Sequence, residues 1–118
     1  MSIHVLTLAA SVAAQTPPAP VTHLEVYFGC VESKAKELTP SNEPVDVIAD
    51  ATLTLCTPYL RNTVDDRVLR FRRENPNSSL SDSEVDEMTT GLLLKRAREF
   101  AIADVVSERA NKRKDRQR

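Results

Sequence analysis

Tryptophan is absent from the 118 residues, and only three phenylalanines and two tyrosines are present. A sheet draws its packing from aromatic and β-branched runs, so this scarcity argues against β architecture. Glycine occurs twice. That excludes a glycine-rich loop able to cradle phosphates, and it favours long regular elements over frequent tight turns. No apolar run reaches the roughly 20 residues a bilayer span requires. Histidine, the usual general base, occurs only at positions 4 and 23, and no nucleophile–base or metal-ligand spacing accompanies either. Catalysis, metal binding and cofactors are therefore not expected, and neither is a nucleotide site.

What is plentiful is alanine, leucine, valine, glutamate and arginine, good helix formers apart from valine. The apolar share of 41% and charged share of 28% suit one globular domain with a single core. The expected fold is all-α, a small antiparallel bundle of three to four helices stapled by one disulfide.

Ile3 to Ala14 is a short apolar run closing on Val12-Ala13-Ala14, followed at once by the proline-rich Gln15–Pro20. Such an order matches a secretory signal peptide cleaved after Ala14, although no lysine or arginine precedes the apolar run. The competing reading is an uncleaved N-terminal helix. Export would also place Cys30 and Cys56 in a compartment where a disulfide persists. The expected division is 1–14 signal peptide, 15–21 linker, 22–110 helical domain and 111–118 basic, disordered tail.

Within the domain, Thr22-His23-Leu24-Glu25 reads as a capping box with Val21 and Val26 as its staple. Leu24, Tyr27, Phe28, Val31, Ala35 and Leu38 then recur at helical spacing up to Thr39-Pro40. A second helix is expected to begin with Ser41 or Asn42 as cap and Pro44 in its first turn, burying Val47, Ile48, Ala51 and Leu55. Counting outward from the turn, Cys30 and Cys56 lie about one helical turn out of level, close enough to be bridged. Thr57-Pro58 reads either as a kink in one long helix or, the preferred reading, as a Thr cap with proline opening a third helix, and the segment carries Leu60, Val64, Val68 and Phe71 inward and an Asp66–Arg70 pair outward. After the Asn75–Ser79 loop, Ser81-Asp82-Ser83-Glu84 is a second capping box, with Leu80 and Val85 as staple. The last helix is expected to bury Met88, Leu92, Leu93, Ala97, Phe100, Ala101 and Val105, and to fray beyond about Ala110.

Charge is unevenly placed. The net charge is −1, yet the stretch from Arg109 to Arg118 holds six basic residues and one acid. Arg109, Lys112, Arg113, Lys114, Arg116 and Arg118 form the one cluster with binding chemistry, able to attract polyanions, an anionic membrane or a cell-wall surface by counterion release. The bland alternative is a tail that complements the helix dipole. Without aromatic residues beside it, sequence-specific nucleic-acid recognition is not expected. The acidic run Asp82–Glu87 fails the calcium-loop pattern, having Glu87 where glycine belongs and Leu93 where the closing glutamate belongs. Asp46 and Asp50 read as surface carboxylates. Asn77-Ser78-Ser79 matches the N-glycosylation tripeptide, a weak signal alone.

Three functions fit: an exported helical protein with a binding or structural role toward an unknown protein partner; a polyanion-binding module using the basic tail; and a cytosolic helical protein with reduced cysteines.

Overall fold

The computed structural model describes residues 19–117. The segment expected to be a signal peptide, the first part of the linker and Arg118 lie outside the described residues. The described chain is an all-α bundle of four helices: α1 His23–Leu38, α2 Val45–Leu55, α3 Thr57–Glu74 and α4 Asp82–Arg116.

The capping box expected on α4 forms in full, and the one expected on α1 forms by half. Thr22 Oγ1 accepts the Glu25 N–H, and Ser81 with Glu84 makes the full reciprocal box. Each satisfies a backbone donor that the first helical turn leaves without an internal partner. Val21 and Val26 both stay exposed, so the staple expected there does not close. For α2 the cap is Pro44 itself, with no side-chain hydrogen bond, rather than Ser41 or Asn42. Proline's fixed φ of −56° starts the helix at Val45 without a polar cap.

Cross-helix contacts give the chain directions. Phe28 of α1 meets Phe100 of α4, and further along α1 Ala35 packs with Val105, so α1 and α4 run parallel. Asp50 pairs with Arg98, while the Ser41 and Glu43 carbonyls accept from Arg109, so α2 runs against α4. Arg61–Asp86 and Arg72–Asp82 show that α3 does the same. The fold is thus three rods running up, down and up, the middle rod broken between α2 and α3.

Most buried positions recur at a four-residue spacing, with Ala49, Thr63 and Val85 buried beside these rows. In α1 they are Tyr27, Val31, Ala35 and the capping Thr39; across the broken rod they are Ile48, Thr52, Cys56, Leu60 and Val64; in α4 they are Leu93, Ala97, Ala101 and Val105. Four residues advance about 40° beyond a full turn, so each row winds around its helix and meets successive neighbours. The expected inward faces shift accordingly. Val47, Ala51 and Leu55 of α2 point outward while Ala49 and Thr52 take their place, and Met88, Leu92 and Phe100 of α4 are exposed. Thr52 can be buried because its hydroxyl donates to the Ile48 carbonyl at 2.8 Å.

Cys30 and Cys56 form the disulfide, with Cα atoms 5.9 Å apart. Cys56 stands at the joint between α2 and α3, not within α2, and is fully buried. Its N–H reaches the carbonyls of Thr52 and Thr54, and Pro58 follows in the first turn of α3. The break expected at Thr57-Pro58 is present, capped one residue earlier than expected. The bridge therefore ties α1 to the hinge of the broken rod.

Candidate functional site: a basic cleft at one end of the bundle

α4 remains helical to Arg116, six residues past the expected fraying point at Ala110. The lysines and arginines of its last turns sit where cations complement the negative end of the helix dipole. Continued helix also fixes their spacing. Arg109, Lys112, Arg113 and Arg116 recur every three or four residues and so share one face. That face looks onto the α1–α2 turn, and the two enclose a cleft of about 400 Å³ lined by Thr39, Pro40, Ser41, Asn42 and those four cations.

The turn is held firmly. Thr39 donates its hydroxyl to the Ala35 carbonyl at 2.6 Å, and the Ser41 N–H donates to the Leu38 carbonyl. Arg109 bridges the two walls by donating to the carbonyls of Ser41 at 3.0 Å and Glu43 at 2.7 Å. Its role is then partly structural. Lys112, Arg113 and Arg116 are exposed, and none of them makes an ion pair among the described residues. Lys114 is exposed on α4 but does not line the cleft. Of the six basic residues expected from sequence, the fold gathers four into one concavity.

The cleft can hold an extended anion by Coulomb attraction and by hydrogen bonds from guanidinium and ammonium groups. It has no aromatic platform for stacking bases. Ser41 and Asn42, free of the capping duty expected of them, present exposed polar side chains on the opposite wall. Sequence alone could not supply this wall, because Ser41 and Arg109 are far apart along the chain.

The other titratable groups are engaged differently. His23 lies 3.5 Å from Asp66, both half exposed, and the Asp66–Arg70 pair expected from sequence gives way to this contact and to Arg61–Asp65 at 3.0 Å. The Thr63 hydroxyl shares its proton between the Tyr59 carbonyl at 2.9 Å and the His23 carbonyl at 3.0 Å. Asp82 and Asp86 are drawn into pairs with Arg72 and Arg61, and Asp50 pairs with Arg98. Among the described residues no group of three or more His, Cys, Asp or Glu is placed to hold a metal ion, and no helix is long and apolar enough to cross a membrane.

Asp104 is the electrostatic exception. One carboxylate oxygen is buried without a partner among the described residues. Burial raises its pKa, Lys36 of α1 opposes that rise, and Glu32 and Glu108 add to it. Tyr27 is a similar case, its buried hydroxyl unpartnered among the described residues and its pKa raised by burial.

Compared with protein-family models, curated proteins and solved structures, the chain matches none of them.

Proposed function

We propose that this is an exported, non-catalytic protein that binds polyanions through the cleft between the end of α4 and the α1–α2 turn. The observation that carries the reading is the convergence of Arg109, Lys112, Arg113 and Arg116 on one concave surface in a chain whose net charge is −1. A solubilising tail needs only charge; it does not need a second wall or an arginine spanning to it. The ligand chemistry is a run of closely spaced phosphates, sulfates or carboxylates, as on an anionic membrane, a cell-wall polymer or an acidic polysaccharide.

Export is supported by the apolar run and small-residue close before Gln15, and by a disulfide that a reducing compartment would not maintain. Intact mass of the native protein is expected to begin at Gln15 with both cysteines oxidised.

Retention on heparin and on vesicles containing anionic lipid tests the binding. The intact chain is retained at low salt and released as salt rises, and it does not bind zwitterionic vesicles. Replacing Lys112, Arg113 and Arg116 together by glutamate abolishes retention on both. Unchanged retention would remove the cleft as the site, and heparin binding without vesicle binding would identify a soluble or cell-wall polyanion as the ligand.

A further inference from the structure

The solvent face of α4 carries a pattern that nothing among the described residues explains. Met88, Leu92 and Val106 are 64%, 47% and 52% exposed, and with Lys95, Glu99 and Ala103 they recur at intervals of three and four residues. That is the spacing of a seam between two helices, distinct from the four-residue row that faces the core. Gly91 borders the same face. A side chain added there would meet no atom within 4 Å, and glycine in mid-helix is less stable than alanine. No internal contact requires it.

Charge along α4 is sorted end to end: Glu84 and Glu87 open the helix outside the ion pairs that hold Asp82 and Asp86 against α3, and Lys112, Arg113, Lys114 and Arg116 close it. A second α4 laid antiparallel presents its basic end to the acidic end of the first. Parallel pairing would set like charges side by side. Opposite charges at Lys95 and Glu99, near the middle of the seam, select the same arrangement.

We propose that α4 pairs with α4 of a second copy of this chain in an antiparallel two-fold dimer centred level with Ala97. Met88 then lies against the partner's Val106, Leu92 against the partner's Ala103, and Lys95 against the partner's Glu99, each pair occurring twice because the interface is isologous. Gly91 comes opposite the partner's Ala103, and two small residues at that crossing let the backbones approach closely. Glu84 lies within reach of the partner's Arg113. The basic clefts fall at opposite ends of the dimer, so a polyanion chain could engage both.

Sedimentation equilibrium of the whole chain tests the arrangement. A reversible dimer is expected. Lys95→Glu sets acid against acid and weakens dimerisation at least about tenfold; Glu99→Lys does the same with two cations. The double variant exchanges the charges and restores the original dissociation constant to within about threefold. Neither exposed substitution shifts the monomer's melting temperature by more than about 3 °C. A monomer at every concentration up to about 100 µM overturns the proposal. So does a dimer indifferent to the single reversals, which would place the interface elsewhere. A monomer that instead captures the peptide 1–14 would show the face to be covered by the chain's own N-terminal segment, overturning it also.

Discussion

The two halves of the bundle are built to different standards. Toward the α1–α2 turn, three rods surround a core in which Tyr27, Val31, Ala35, Ala49, Ala97, Ala101 and Val105 are fully buried. The alanines matter there, because small side chains let three helices approach while larger neighbours fill what remains. At the other end α1 is missing. It begins at His23, whose carbonyl accepts from Thr63, so among the described residues the remainder of α3 and the first turns of α4 have only each other. In that half Leu69 and Met88 are largely exposed, Val85 is the one buried hydrophobic of the first turns of α4, and the joint is closed by Arg72, which donates to Asp82 and to the Leu80 carbonyl. One half rests on burial, the other on caps and exposed ion pairs, which individually contribute little.

The largest test of this contrast is the disulfide, since it lies wholly in the three-rod half. Closing a loop over a sequence separation of 26 is expected to stabilise the fold by about 3.5 kcal/mol through the unfolded chain. Replacing Cys30 and Cys56 together by alanine should remove most of that, lowering the melting temperature by on the order of 15 °C. Urea denaturation checks the figure. A loss below about 1 kcal/mol would mean that packing around the hinge, not the bridge, secures this half.

Next in size is a matched pair of leucines. Leu93 is 1% exposed in the three-rod core, whereas Leu69 is 59% exposed between α3 and α4. Leu93→Ala is expected to cost about 3 kcal/mol through lost transfer energy and a cavity. Leu69→Ala is expected to stay within about 0.5 kcal/mol. Equal effects would erase the distinction between the halves.

The helices and the staple were readable because their signals are local. Thr22 and Ser81 announce their caps within three residues, Pro58 marks the break, and two cysteines allow one intrachain pairing. The faces were harder. Sequence periodicity includes every apolar residue near a stripe, so Met88, Leu92 and Phe100 were grouped with Leu93 and Ala97; only the actual neighbours of α4 decide which of them are covered. Ala49 and Thr52 on α2 give no clear signal in the sequence, because a small residue and a hydroxyl carry weak hydropathy. For the site, the six basic residues were visible in the sequence, but as a frayed tail. Their persistence as helix, and the Ser41 and Glu43 carbonyls that meet Arg109, depend on contacts between distant parts of the chain.

The smallest expected effect concerns a defect inside the well-packed half. Asp104 of α4 feels the charge of Lys36 on α1, yet one of its oxygens is buried without a partner among the described residues, and burial raises its pKa. A carboxyl whose pKa is higher in the folded protein binds its proton more tightly there than in the unfolded chain, so this group's contribution to stability is greatest in acid. It declines as pH rises from the ordinary aspartate range through the raised folded value, then levels off. Asp104→Asn keeps the shape and removes the charge. It is expected to be more stable than the parent at pH 7, by about 0.5–1 kcal/mol, with the difference shrinking as the parent's carboxyl takes up its proton in acid. Urea midpoints at a series of pH values read both the sign and the trend. If the asparagine variant were the weaker one at pH 7, the attraction of Lys36 would outweigh exclusion from water, and the half that rests on burial would owe part of its stability to an ion pair after all.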